Sequence, residues 1–156
     1  TITEYEEDTS AQGRIEQWRG ATKMFLDYPL FGVGGTNYYA LAHRYVEYPR
    51  VTHNTFFQIL AEEGFVGISL FLGIMSLGLI DSRRLVKQAL AGIKPFWVFH
   101  YAAIVNLSLI GILVVCMFQN KAEHEFLYWP FAVLAAIHAL LHKQQSDQAK
   151  NKPLRN

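Results

Sequence analysis

The feature that most constrains this chain is a run of sixteen residues, 65–80, that contains no charged side chain. As a helix this run would measure roughly 24 Å, somewhat less than the ~30 Å hydrocarbon core of a bilayer. A span of 65–84 reaches membrane length if its terminal arginines extend toward the headgroups. Two further apolar runs follow at 96–118 and 126–141. The chain is therefore predicted to cross a membrane about three times.

The region before these runs is polar. Residues 1–63 carry nine acidic and five basic side chains. Apolar side chains at steps of three and four predict an amphipathic helix over 11–27. A second short helix is predicted over 37–48. A third begins near Thr52 or Asn54, because either side chain can accept hydrogen bonds from the first N–H groups of a helix.

The predicted fold class is all-α, a polytopic membrane protein fragment. A helical head, residues 1–63, precedes a membrane region, 64–142, and a basic tail, 143–156. The chain does not begin with Met, and we expect it to be a piece of a longer protein. A soluble helical bundle is the alternative, because two of the three apolar runs are short.

The charges of the loops predict the orientation. The 81–94 loop holds four basic residues and one acidic residue, and the 143–156 tail has the same balance. The 119–125 loop holds one lysine and two glutamates. By the positive-inside rule the first two lie in the cytoplasm. The head is therefore expected on the outer, periplasmic face.

Composition excludes several classes of function. The net charge is +1 and no basic stripe with interleaved aromatic residues is present, which argues against nucleic acid as a partner. The single Cys116 excludes a disulfide framework and a cysteine zinc site. His43, Glu47 and His53 could together be imagined as metal ligands, but no metal-binding motif contains them. We expect neither a metal nor a cofactor.

His53 is the first candidate for chemistry. It is followed by Asn54, and then nine residues separate that pair from Gly64, with Gly67 three further on. A neutral imidazole can accept a proton from an attacking hydroxyl group, which is the task of a general base. The alternative is a histidine that only caps or packs a helix.

Two other features could bind an anion. Arg14 and Arg19 lie on the predicted 11–27 helix, and a guanidinium donates in bidentate fashion to phosphate oxygens. The glycine-rich turn at 31–35 could present backbone N–H groups to an anion. The alternatives are a solvated helix face and an ordinary tight turn.

These residues carry a family resemblance. The pattern His-Asn, nine residues, Gly, two residues, Gly resembles a signature of the O-antigen ligase/polymerase-like membrane glycosyltransferases. The upstream block GRIEQWRGATKMFLDYPLFGVGG resembles their second block, and the opening TITEYEEDTSAQGR is similar to O-glycosylation ligases associated with exosortase systems. The resemblance covers roughly 1–85. Its motif positions are Arg14, Trp18, Gly32, Gly34, His53, Asn54, Gly64 and Gly67.

The resemblance implies metal-independent, inverting transfer of a glycan at the outer face of a bacterial inner membrane. The donor would be a glycan on undecaprenyl diphosphate, and the acceptor a hydroxyl on lipid A–core, another glycan or a protein. His53 matches the proposed base, Arg14 matches an arginine thought to hold the diphosphate, and Asn54 is assigned to substrate binding. A second functional arginine is expected in upstream spans, so we expect the fragment alone to be inactive.

Two alternatives accompany this prediction. A polymerase of the same superfamily would extend a glycan instead of handing it to a different acceptor. A non-catalytic membrane transport or assembly component would use His53 only as a helix cap. In that case the polar His100 and Asn106, inside the second span, would matter more than the head. Packing between helices is the default expectation for both.

Overall fold

A computed structural model describes residues 2–119 and 125–150, with side chains from residue 11 onward except at 126. Five α-helices and one 3-10 turn occur in these ranges. They are α1 (Ile2–Asp27), α2 (Tyr38–Ala42), α3 (Thr55–Leu90), α4 (Phe96–Cys116), the turn Glu125–Leu127 and α5 (Trp129–Lys150). No strand is found in this part of the chain. The all-α prediction is confirmed.

Two helices in the head differ from the prediction. The first helix begins at Ile2 and not near Ala11, because no proline or glycine interrupts the backbone before residue 11. It ends at Asp27, two residues before Pro29, as the conformational restriction before proline predicts. The second helix covers only Tyr38–Ala42, so the predicted 37–48 helix is wrong after residue 42.

The chain forms two compact units. The first contains Thr1–Ile74 and Ile112–His124. The second contains Met75–Gly111 and Glu125–Asn156.

A small apolar core holds the head segments of the first unit together. Its buried members are Ala21, Met24, Tyr38, Ala42, Val46 and Ala61. Gly20 permits the close approach of α1, because a Cβ there would lie 2.5 Å from Val46 Cγ1. The chain therefore leaves helical geometry after α2 and packs Val46 against α1.

Gly64 breaks α3. Its φ of 66° and ψ of −157° lie in a region that is essentially restricted to glycine. A continuous helix would bond the N–H groups of Phe65 and Val66 to the carbonyls of residues 61 and 62. Here those N–H groups donate to the carbonyls of Pro29 (2.8 Å) and Leu30 (3.1 Å). The break replaces two helical donor bonds with bonds to the 29–34 turn.

The two carbonyls freed by this break are also satisfied. Ala61 O accepts from Val33 N–H at 3.0 Å, and Glu62 O accepts from Gly34 N–H at 2.8 Å. Four backbone hydrogen bonds therefore join the turn to the break, and each of the two N–H groups and two carbonyls released by the break has a new partner. The break falls where the head was expected to meet the membrane region.

Two of the described helices, α3 and α4, are long and apolar enough to cross a membrane. Their most apolar windows have mean hydropathies of 1.9 and 2.2, yet only 22% and 28% of those windows are buried. Large exposed apolar surfaces of this kind are typical of a lipid-facing or partner-facing helix. Within the same described ranges α5 does not meet these criteria, and the third span at 126–141 stays a prediction.

In the second unit, polar and small residues connect the helices. Asn106 Nδ2 donates to Ser82 Oγ at 2.9 Å, so Asn106 has the inter-helix packing role that was its default expectation. A Cβ on Gly78 would lie 2.7 Å from Phe131 Cε1, which lets α5 approach α3 closely. His100 is exposed and contacts Phe96 and Phe99 of its own helix.

Candidate functional site

His53 lies in a tight turn before α3 with a backbone φ of 50°. Positive φ is uncommon for residues other than glycine, and such conformations are retained where the surroundings enforce them. The neighbours Thr52 and Asn54 are both buried, while His53 is exposed. Thr52 Oγ1 donates to Asn54 O at 3.0 Å and closes the turn. The turn therefore presents the imidazole outward from a fixed backbone.

Asn54 begins α3. Its Oδ1 accepts from the N–H groups of Phe56 (2.9 Å) and Phe57 (3.2 Å), which is the geometry of a helix N-cap. Its Nδ2 donates to Met117 O at 2.9 Å. The residue is only 7% exposed. Both polar ends of the side chain are therefore bonded within the protein, and the substrate-binding role expected from sequence stays a prediction.

Thr55 adds a second connection between this turn and the chain that follows α4. Its Oγ1 donates to Gln119 O at 2.6 Å, and the residue is fully buried. Together with the Asn54 amide bond, this contact fixes the start of α3 against residues 117–119. The His53 turn is therefore held on its α3 side by two hydrogen bonds.

Trp18 holds the same turn from the side of α1. Its indole Nε1 donates to Thr52 O at 2.8 Å, and its ring stacks on Phe57 with centroids 5.3 Å apart and planes 7° apart. Arg14 lies four residues earlier, on the same face of α1. The contact of Trp18 with the turn thus places Arg14 on the side of α1 that faces His53.

Gln17 ties α1 to the segment before His53. Its Nε2 donates to Tyr48 O at 3.0 Å, and its Oε1 accepts from Arg50 N–H at 3.0 Å. Tyr38 Oη lies 3.2 Å from the same oxygen. Gln17 is only 1% exposed. Sequence reasoning missed it, although a glutamine on the apolar face beside Trp18 was a signal that it had buried partners.

Arg14, Arg50 and His53 line one pocket. It is a cavity of about 80 Å³, and the remaining lining residues are Gly13, Gln17 and Val51. All three titratable side chains are exposed, so they are accessible to a ligand. The structure brings together the two residues predicted from sequence, and it adds Arg50, which sequence reasoning left without a role. The long separation of Arg50 from Arg14 hid this proximity.

The motif glycines lie at the break in α3 and not in the pocket. The N–H groups of Gly32, Val33 and Gly34 donate to the carbonyls of residues 28, 61 and 62, so this turn is a structural connection and not an anion site. A Cβ on Gly32 would overlap the backbone of Glu62, and one on Gly67 would overlap the Glu63 side chain. These glycines permit close packing around the break.

The metal alternative finds no support among the residues that the structure describes. Among the side chains that the structure describes, those of 11–119, 125 and 127–150, no group of three or more His, Cys, Asp or Glu could hold a metal ion. His43 Nδ1 lies 2.9 Å from Ala40 O, within its own turn.

Two tyrosines of the head have perturbed acidity. Burial, reinforced by the negative charges of Glu16 and Glu62, raises the pKa of Tyr38 to about 12. This residue stays a neutral hydrogen-bond donor beside Gln17 at physiological pH. A hydrogen bond to Asp27 at 2.7 Å raises the pKa of Tyr45 to about 12.

The residues that form this pocket lie within a match to a known protein family. Residues 1–72 match the family model described as O-antigen ligase. The predicted resemblance to the O-antigen ligase family is confirmed over this range, and the predicted exosortase association stays a prediction. No curated protein and no solved structure matches the chain. The O-antigen ligase match includes α1, the 29–34 turn, the pocket and the break at Gly64.

The matched part of the chain, residues 1–72, is similar to O-antigen ligases. This similarity supports a ligase- or polymerase-like membrane glycosyltransferase, and the two long apolar helices indicate a membrane protein. An enzyme of this class acts on a lipid-linked glycan and an acceptor. The pocket with Arg14, Arg50 and His53 lies within the matched residues.

Proposed function

We propose that this chain is the C-terminal part of an O-antigen ligase-like glycosyltransferase and that it contributes the base and the anion-binding side chains of the active site. The observation that carries this proposal is the single pocket lined by Arg14, Arg50 and His53. Two guanidinium groups and one imidazole around a small, open cavity suit an anionic leaving group next to a hydroxyl that must lose a proton.

The donor is a glycan on undecaprenyl diphosphate, and the acceptor supplies a hydroxyl group. His53 takes the proton of that hydroxyl as its oxygen attacks the anomeric carbon of the donor sugar. The bond from the anomeric carbon to the phosphate oxygen breaks, and its electron pair leaves with undecaprenyl diphosphate. Attack opposite the leaving group inverts the configuration at the anomeric carbon.

Arg14 and Arg50 stabilise the departing diphosphate. Negative charge grows on its oxygens in the transition state, and donors already aimed at that position lower the barrier without reorganising. The fork of a guanidinium bonds two phosphate oxygens at once. Fixed positive charges of this kind support metal-independent transfer.

Asn54 and Trp18 position the base in this proposal. Asn54 caps α3 and bonds Met117 O, while Trp18 bonds Thr52 O. The residue that carries the base thus lies between two anchored neighbours. Pre-positioning of this kind contributes to catalysis because a base must lie within hydrogen-bonding reach of the proton it removes.

The location follows from the donor and the loop charges. The basic 81–94 and 143–156 segments favour a cytoplasmic position, which puts the pocket on the periplasmic side of a bacterial inner membrane. A break at Gly64, directly before the apolar part of α3, supports a pocket near the membrane surface, where a lipid-linked diphosphate is held.

The acceptor is lipid A–core, a growing glycan or a protein. A polymerase that extends a glycan uses the same base and leaving group, and differs only in its acceptor. In a non-catalytic transport or assembly component, the side chains of this pocket would catalyse no reaction.

The decisive variant is His53→Asn in the full-length protein, in membranes. Asparagine tolerates positive φ, so the turn keeps its conformation while the base is lost. We expect glycan transfer to fall by roughly 10²- to 10⁴-fold, the usual contribution of a general base, with undecaprenyl-diphosphate-linked glycan accumulating. The matched control is His43→Asn, an exposed histidine outside the pocket, which should retain wild-type transfer.

Two results would contradict the proposal. Wild-type transfer by His53→Asn would exclude the general base. Equal losses in both histidine variants would assign the effect to the fold. Arg14→Lys provides the test of the leaving-group site, since a point charge cannot reproduce the bidentate fork, and its transfer rate should fall while membrane insertion is unchanged.

A further inference from the structure

A second pocket adjoins the pocket of His53. It has a volume of about 200 Å³ and shares Gly13, Gln17 and Arg50 with the pocket of His53. A Cβ on Gly13 would lie 3.6 Å from an Arg50 guanidinium nitrogen, so the Arg50 side chain lies close to α1 at this residue. The two pockets are neighbours around one arginine.

The other lining residues give the second pocket a different chemistry. They are Gln12, Glu16 and Tyr48. A carboxylate accepts hydrogen bonds, an amide both donates and accepts, and a guanidinium donates. The Tyr48 side chain is 65% exposed, and an aromatic ring with a polar tip offers an apolar face beside these groups. Sugar rings combine hydroxyl groups with apolar C–H faces.

Charge argues against an ion as the ligand. Glu16 would repel a phosphate, and Arg50 would repel a cation, because like charges at close range disfavour binding. A neutral ligand with many hydroxyl groups uses both side chains. The second pocket therefore differs from the first, whose described lining residues include two arginines and no carboxylate.

The pocket is held in shape before a ligand arrives. Gln17 bonds the backbone of both Tyr48 and Arg50, and Glu16 Oε1 accepts from Glu47 N–H at 3.3 Å. Three hydrogen bonds thus fix the 47–50 segment against α1. A preorganised site loses less conformational entropy when a ligand binds.

We infer that the pocket lined by Gln12, Glu16, Tyr48 and Arg50 is a saccharide subsite beside the proposed reaction centre. This inference rests on the proposed function. The ring that it binds belongs to the glycan of the donor or to a sugar of the acceptor. Arg50 then contacts the saccharide on one side and the diphosphate on the other.

The test compares substrates with and without sugar, using Tyr48→Ala in the full-length protein in membranes. The donor is the cell's own undecaprenyl-diphosphate-linked glycan, and undecaprenyl diphosphate without a glycan serves as the inhibitor. We expect a KM for one sugar-bearing substrate roughly three- to tenfold higher, as for a lost aromatic contact. The inhibition constant of undecaprenyl diphosphate should not change. A higher donor KM identifies the donor glycan, and a higher acceptor KM identifies the acceptor.

Two further variants complete the design. Glu16→Gln keeps the size of the side chain and removes its charge, and it should raise the same KM. Tyr39→Ala removes a tyrosine that is 62% exposed on α2 and lines neither pocket, and it should behave as wild type. Arg14→Ala should weaken the sugar-free inhibitor.

Some outcomes would overturn the subsite. Unchanged KM values in Tyr48→Ala would overturn the saccharide subsite. If His53→Asn is inactive at the same time, the proposed function still stands. An equal rise in the inhibition constant would also overturn it, because the effect would not depend on sugar.

Saturation-transfer NMR with the released glycan measures binding without catalysis. Binding that Tyr48→Ala removes supports the subsite even if transfer is absent, and no binding in the wild type contradicts it.

Discussion

Gly64→Ala should destabilise the first unit and break the hydrogen bonds between the 29–34 turn and α3. Alanine would have to adopt a φ of 66° and a ψ of −157°, which costs about 1–3 kcal/mol. Its Cβ would lie 2.6 Å from both Gly32 N and Leu30 O, and overpacking of this kind adds about 1–3 kcal/mol. The expected loss is therefore roughly 2–6 kcal/mol, a large part of a typical stability of about 5–15 kcal/mol.

The assay is the apparent melting temperature of the purified full-length protein, together with its transfer activity. Each kcal/mol lowers Tm by roughly 2–4 °C in a domain of this size, so the expected loss of roughly 2–6 kcal/mol corresponds to a fall of roughly 4–24 °C. Activity should fall as well. The 29–34 turn would lose its hydrogen bonds to the break in α3, and the start of α3, which carries the His53 turn, would lose that support.

Gly73→Ala is the matched control on the same helix. A Cβ there meets nothing within 4 Å, and alanine is favoured over glycine inside a helix by about 1 kcal/mol. Its melting temperature should equal or exceed that of the wild type. A Gly64→Ala protein that melts with the wild type, or equal losses in both variants, would refute the account of the break.

Two other predictions concern the contacts around the pocket. Trp18→Phe removes the hydrogen bond from the indole to Thr52 O; we expect a loss of about 0.5–1.5 kcal/mol in the free energy of unfolding, measured by denaturant titration. Tyr38 has a pKa raised from 10.0 to about 12, so the stability it contributes is complete below pH 10 and is lost as pH rises through 12. Tyr38→Phe should therefore lose less stability than the wild type over that window; parallel losses in both proteins would exclude Tyr38 as the cause.

Local signals in the sequence predicted much of the architecture. The uncharged 65–80 run marks an apolar helix because its composition alone suits the bilayer. Pro29 predicts the end of α1 through a restriction on its neighbour. Gly64, a glycine between a polar helical segment and an apolar one, marked the position of the break. Each of these depends on residues close together in the chain.

The parts that were missed depend on contacts across long stretches of chain. Arg50 lines the pocket because Gln17, 33 residues earlier, bonds its backbone N–H. The α2 helix is short because Val46 packs against Gly20. The Asn54 side chain bonds Met117 O, 63 residues away. No periodicity or motif spacing reports such pairs.

The mutual packing of Gly32 and Gly64 has an evolutionary consequence. A side chain at Gly64 would collide with the backbone nitrogen of Gly32, and a side chain at Gly32 would collide with Glu62, two residues before Gly64. Neither position can accept a larger residue while the other segment stays in place. Relatives that retain this break are expected to retain both glycines or to lose them together, so the pair should vary in concert across a family alignment.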